Sequence, residues 1–557
     1  MGTTRRALFL TWFLVWIFLA LLVIKLVPVF VLGDSWNRRA ELFTDMMNHP
    51  FRFSFMKETW PSLLVFTIIY ALIISIYEAE RSKMRQGREY GDAAWGRAKS
   101  TRNKLENKKS PTENLILSQN LRLSLDTWKT RKNCNVVVVG GSGSGKTRFY
   151  VKPNLLQRNT SYIVLDPAGE ILRDCGNALV SNGYRIKVVN LNDMSKSDHY
   201  NAFHYIKTDN DVQRLITALI KNTTPAGSKS NDPFWEKAEQ MLLSALMYLL
   251  IHYGLETEKN FPTLMSVLSM VKTSGKGAKA LNDLFEETHK RDPYNIAYVM
   301  YQRFKSGAEK TLQSIIITVS ARLTKFDLPE LQDLTRYDDL EFETYGTVKT
   351  ALFIQTPITD TSFNFIAGMI YTQLFQALYS IAGESPGGHL PIPVHFLMDE
   401  FANVKLPEDF ENIVATARKH RVFISIILQS MAQIKAIYER TWESIVGNCD
   451  SFIYLGGNEQ STHEYISKAL GKETIRTKTY QYSKGNRGST SVNYNHLGLE
   501  LMSTDKVRRL QSHQCIVLIS GERPILDRKY DLLKHPAIDL TADGKGKEFI
   551  LETKGTK

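Results

Sequence analysis

At Asn135 the chain reads NVVVVGGSGSGKTRFYVKPNLL, four valines running into a stretch of four glycines and two serines closed by a lysine and a threonine. An unbroken β-branched run is the mark of a strand covered on both faces, and the residues after Thr147 suit a helix, so the stretch dictates strand, bare loop and helix in that order. Gly140, Gly145, Lys146 and Thr147 complete the pattern G-x-x-x-x-G-K-[ST]. A triphosphate carries several negative charges and must meet donors that are already oriented. Glycines remove side chains and let successive N–H groups of Gly140, Gly141, Ser142, Gly143, Ser144 and Gly145 turn towards it, while the following helix offers its positive end. Lys146 is expected to reach the β- and γ-phosphates of ATP, and Thr147 to ligate Mg²⁺. A merely flexible Gly/Ser turn would need neither the strand before it nor the helix behind.

Such a loop needs a metal-positioning acid and a water-activating group at the end of a nearby strand. PVHFLMDEFANV supplies both: Asp399 to hold Mg²⁺ and Glu400 to polarise the attacking water. An acidic pair on its own is more often a solvated strand end or a helix cap; behind a complete phosphate loop the catalytic reading prevails. The next strand, VFISIILQS, ends in Gln429, the position of a polar γ-phosphate sensor in nucleotide motors. Just before it, ATARKHR offers Arg418 and Arg421 at the end of a helix, where they either face the helix dipole or reach a neighbouring subunit's nucleotide, Arg418 being preferred for that role.

Apolar runs bounded by turn residues recur at 136–139, 162–165, 186–189, 351–356, 394–398, 423–428, 452–455 and 516–519, and helical stretches separate them. An α/β layered domain with a mainly parallel sheet is the economical architecture. Residues 205–345 break the rhythm with helical spacing alone, as along DPFWEKAEQMLLSALMYLL, and predict an inserted all-α domain. The expected boundaries are a membrane anchor at 1–80, a polar linker and sheet edge at 81–132, the nucleotide domain at 133–204 and 346–536, the all-α domain at 205–345 and a charged tail at 537–557. Thr477 to Asn495, rich in Ser, Thr, Tyr, Gly and Asn, reads as a mobile loop.

Residues 7–24 are almost wholly apolar and span about 27 Å as a helix, close to a bilayer's hydrocarbon thickness; residues 62–77 form a second such run, with Trp60 and Tyr77 at its ends. A cleaved signal peptide would have a shorter core and no second span, so a helical hairpin is expected. Arg5 and Arg6 precede the first run, and Arg81, Lys83, Arg85 and Arg88 follow the second, which puts both chain ends and the nucleotide domain in the cytoplasm. Cys134, Cys175, Cys449 and Cys515 are far apart and read as reduced core thiols. The net charge of +13 suits either anionic lipid or a nucleic acid. Histidines, among them His199, His395, His420 and His463, lack zinc-ligand spacing and exclude a zinc hydrolase.

Taken in order, VVGGSGSGKTRFYVKPNLL, LDPAGE, SDHYNAF, DPFWEKAE, MDEFANV, DFENIVATARKHRVFISIILQS and GNCDSFIYLGG resemble the type IV secretion coupling proteins, the membrane-anchored ATPases of conjugation, from the N-terminal helices to about Pro536. The resemblance implies a RecA-like P-loop NTPase domain, an inserted all-α domain, a two-helix anchor in the cell membrane and a homohexameric ring. It also implies partners: single-stranded DNA with bound relaxase, protein cargo, and components of the secretion channel. Many relatives carry a lysine where this chain has Ala168, in DPAGE. Two other readings share these features. One is a docking receptor that uses nucleotide only to assemble; the other is a chromosome-segregation translocase, which would carry more membrane helices and a C-terminal DNA-reading domain.

Overall fold

The computed structural model describes residues 2–83, 89–224, 233–357, 360–404, 406–407, 409–483 and 489–551. Arg85 and Arg88 lie outside these described residues. The chain forms two compact units, Met1–Asp92 with Lys472–Leu499, and Ala93–Gly471 with Glu500–Lys557.

The second unit is built on a nine-stranded sheet. Its strands in chain order are β1 (Val136–Val139), β2 (Ser161–Leu165), β3 (Arg185–Asn190), β4 (Thr350–Gln355), β5 (Val394–Met398), β6 (Val422–Leu428), β7 (Ser451–Tyr454), β8 (Gln514–Ile519) and β9 (Ile525–Arg528). They lie in the order β9-β8-β7-β1-β6-β5-β2-β4-β3. Strands β1 to β7 are parallel; β8 pairs antiparallel to β7, and β9 to β8. Each of the eight apolar runs falls on one of these strands. The four valines of β1 show why: Val137 and Val139 belong to the core on one face, Val136 and Val138 to the core on the other, and all four are fully buried.

Strand β9, whose alternation is broken by Asp527 and Arg528, has no continuous apolar run and is legible only as a partner of β8. The described residues of 205–345 form helices, including Asp209–Thr223, Pro233–Tyr253 and Glu309–Leu323, that share one hydrophobic core with a face of the sheet. Glu239, from DPFWEKAE, is buried there and accepts from Arg322 Nε at 2.7 Å. The same guanidinium donates to Ile220 O, Thr223 and Thr224, which ties three helices together. Helix Asn364–Glu384 is apolar enough to cross a membrane but is mostly buried within this unit, as a helix hydrophobic on all sides must be.

Two of the expected boundary segments need correction. Residues 81–132 do not add an edge to the large sheet: Asn114–Ile116 and Arg122–Ser124 pair with each other, and this small ribbon docks on β9 through Gln119 N to Arg528 O and Asn120 N to Asp527. The described part of the tail is not free. Lys152 pairs with both Asp174 and Asp543 at 2.6 Å, and Phe549 lies against Gly176, so residues 538–549 strap the helix Glu170–Val180. No local pattern announces such a strap, because its partners lie hundreds of residues away.

In the first unit, helices Gly2–Val31 and Thr59–Lys83 pack side by side, with Tyr70 donating to Trp12 O and Trp16 to Thr67. Segments Phe9–Val31 and Thr59–Ala79 are long and apolar enough to cross a membrane, each extending beyond the run read from hydropathy. The segment expected as a loop is instead a hairpin of strands Lys472–Ser483 and Ser489–Glu500, with 484–488 outside the described residues. Thr, Tyr and Val favour strands, and polarity on both faces disguised the alternation.

Candidate functional site

β1 lies between β6 and β7, and the loop after it leaves along the carboxyl end of the sheet. Gly140 N donates to Leu428 O at 3.0 Å and Gly141 N to Gly456 O at 2.8 Å, so the neighbouring strands aim the loop before it turns. A side chain at Gly140 would meet Ser144 Oγ at 2.4 Å, and one at Gly145, whose φ is +81°, would meet the Phe149 ring at the same distance. Only glycine allows the loop to close so tightly. Thr147–Val151 then form a wide first turn that passes into helix Lys152–Leu155.

Lys146 Nζ sits inside the concavity, donating to Gly140 O at 3.0 Å and approaching Gly141 O at 3.5 Å. Burial lowers its pKa, while Asp399 and Glu400 pull it back up. The Thr147 hydroxyl donates to Asp399 Oδ2 at 2.6 Å. Asp399 is buried, and burial raises its pKa against the opposing hydrogen bond from Thr147 and the charge of Lys146. Glu400 stands beside it in the left-handed region, φ +54°, half-buried, accepting from Asn403 Nδ2 at 2.9 Å. Strand pairing sets Leu165 opposite Met398, so Asp166 and Asp399 end adjacent strands. Asp166 accepts from the amides of Ile171 and Leu172, and its pKa is pushed up to about 6, mainly by burial.

Gln429 follows Leu428 at the end of β6 and is exposed beside the loop, its amide donating to Gln433. Arg418 and Arg421 are not brought to the loop of their own chain. They precede β6, whose seven residues span about 23 Å, at the opposite end of the sheet. Arg418 donates to Thr127 O at 2.6 Å and lies over Trp128; Arg421 donates to Leu390 O and Pro391 O. Two neighbours of the site had no reading as site residues. Asp166 stood in a strand-end, pre-helix position that could have flagged it. Lys529, which donates to Ser144 O at 2.9 Å across 385 residues and sits 5.3 Å from the Phe149 ring centre, left no sequence signal.

These residues fit a magnesium nucleotide. The Ser144 hydroxyl is buried without a protein partner, the backbone curves at Gly143 and Gly145 with positive φ, and an ammonium, a hydroxyl and a buried carboxylate converge at one rim.

The chain is 24% identical over 399 residues to Protein VirD4 of Rhizobium radiobacter, covering 71% of this chain and 56% of that protein. It is also 24% identical over 399 residues to the conjugal transfer protein TraG of Rhizobium radiobacter, covering 70% of this chain and 60% of that one. It therefore spans little more than half the length of these curated relatives. The bacterial conjugative coupling protein TrwB, in an unbound form, superposes with a TM-score of 0.58 at 14% identity, over 80% of this chain and 95% of that one. TrwB in complex with the non-hydrolysable ATP analogue ADPNP superposes with a TM-score of 0.58 at 13% identity, over 84% and 100%. The fold is thus a RecA-type P-loop fold with a mainly parallel sheet. With the family model for type IV secretory system conjugative DNA transfer matching residues 97–544 of 557, this chain belongs to the type IV secretion coupling protein family.

Proposed function

We propose that this chain is a membrane-anchored motor that binds ATP with Mg²⁺, splits it, and couples the cleavage to the transfer of relaxase-bound DNA, or of protein cargo, into a type IV secretion channel. The observation that carries the reading is the 2.6 Å contact of Thr147 with Asp399, which sets a buried acid from β5 at the rim of the phosphate loop. In this reading the loop amides from Gly140 to Gly145 grip the phosphates, Lys146 neutralises charge on the β- and γ-phosphates, and Thr147 and Asp399 hold the metal. Glu400 orients and deprotonates the attacking water, and Gln429 senses the γ-phosphate. Bound ATP with its metal supplies the phosphoanhydride whose cleavage drives the cycle.

Arg418 lies far from its own loop, which supports a ring, the homohexamer, in which it completes the neighbour's site in trans. The two apolar N-terminal helices support anchoring in the cell membrane, with cationic flanks holding both ends in the cytoplasm. Relatives named for conjugal transfer support the cargo, DNA with relaxase, and the secretion-channel partners. The test is phosphate release by the detergent-solubilised chain, with and without single-stranded DNA, beside transfer frequency in cells. Lys146→Ala is expected to abolish both DNA-stimulated hydrolysis and transfer. Wild-type values for either in that variant would refute the motor, and hydrolysis indifferent to DNA would favour a docking receptor instead.

A further inference from the structure

The hairpin of the first unit is tied down at its base. Asp92 bridges antiparallel to Glu473, the amides of Tyr90 and Gly91 donate to Thr474 Oγ1 at 3.1 and 3.2 Å, and His496 pairs with Glu89 at 3.1 Å. Residues 89–92 follow shortly after helix Thr59–Lys83, the second apolar helix, so the hairpin cannot stray from the membrane end of this unit.

Alternation along a strand puts Arg476, Lys478 and Tyr480 on one face. Val492 and Tyr494 share that face on the second strand, for the Arg476 guanidinium lies 4.0 Å and Lys478 Nζ 5.4 Å from the centre of the Tyr494 ring. All five are exposed. From Thr474 to Leu499 the chain holds no acidic residue. Cations two residues apart stand about 6.6 Å from each other along the strand, and a guanidinium laid on a tyrosine makes a flat platform that accepts a base on its outer side.

We propose that this Arg476, Lys478, Tyr480 and Tyr494 face is a binding surface for single-stranded nucleic acid, held close in the chain to the second apolar helix of its own unit. The assignment rests on the DNA-transfer reading above. The two cations meet successive phosphates, and the tyrosines stack on unpaired bases, which gives contact without sequence preference. An anionic membrane surface would also attract the cations. The sequence joining the two strands, SKGNRGSTS, however, holds no aromatic or aliphatic residue of the kind that inserts into lipid.

The test uses the full chain in phosphatidylcholine nanodiscs and a fluorescein-labelled oligothymidylate, read by anisotropy. The double variant R476Q/K478Q should bind at least about tenfold more weakly at about 0.1 M salt. Its plot of log affinity against log salt should be shallower by about 1.4, two phosphates' worth on a single strand. Tyr494→Leu should weaken binding about fivefold or more with the slope unchanged, because stacking is not ionic. Unstimulated hydrolysis should be unaffected in both. If wild type binds the oligonucleotide and stimulates hydrolysis while both variants match it in affinity and slope, the hairpin assignment fails and the motor reading stands. The assignment also fails if the double variant loses only its binding to phosphatidylserine vesicles, which would make the surface a lipid contact. If wild type binds no oligonucleotide at all, the DNA-transfer reading falls with it.

Discussion

Thr147 Oγ1 donates to Asp399 Oδ2 at 2.6 Å, joining positions 252 residues apart. β6 lies between the two strands that carry them, so the contact exists only because the loop after β1 leans across its neighbour. The division of labour across this rim is what the variants below resolve.

Asp399→Asn and Glu400→Gln should fail differently. The first removes the charge proposed to hold the metal, and about 10- to 100-fold of magnesium-dependent nucleotide affinity should go with it. The second keeps the nucleotide bound but slows turnover by about 10² to 10⁴, the usual contribution of a general base. Calorimetric titration with and without Mg²⁺, beside steady-state phosphate release, separates them. Equal binding losses in both variants would show that the roles are not divided.

Gly140→Ala forces a methyl group to within 2.4 Å of Ser144 Oγ. The expected cost is about 1–3 kcal/mol of stability together with loss of nucleotide binding. Adding Ser144→Gly removes the obstructing hydroxyl and should restore part of both, measured by thermal melts and by fluorescent-nucleotide titration. No rescue would mean that the clash is not the reason for the glycine.

Lys529 supports the loop from outside, since its ammonium donates to Ser144 O while its stem is buried. Lys529→Met keeps the apolar stem and removes the donor, so nucleotide binding should weaken about tenfold, the scale of one charged hydrogen bond. Unchanged affinity would leave Lys529 as a packing residue only.

Asp166 makes stability depend on pH. Its folded-state pKa is raised to about 6, so between about pH 4 and 6 the folded chain binds more protons than the unfolded one. Stability from this group is therefore fully present below about pH 4 and is lost as pH rises through 6, by about 3 kcal/mol in all. Asp166→Asn cannot ionise, so its urea midpoint should fall less than that of wild type over the same range. Parallel pH profiles for the two proteins would contradict the assignment.

The glycine-rich loop after β1, the acidic pair ending β5, eight of the nine sheet strands, and the two apolar N-terminal helices were all legible in the chain itself, because each is encoded by neighbours: a valine run, glycines at set spacing, carboxylates ending an apolar strand. The partner of Asp399, the support that Lys529 gives to Ser144, the strap formed by Asp543 and Phe549, and the pairing that turns a polar, Thr-rich stretch into a hairpin were decided only by tertiary structure. Those contacts join residues far apart in sequence, and hydrogen bonds and ion pairs of that kind leave no periodicity behind. What local chemistry fixed was a bare backbone loop suited to a phosphate; which side chains gathered at its rim depended on the order of the strands in the sheet.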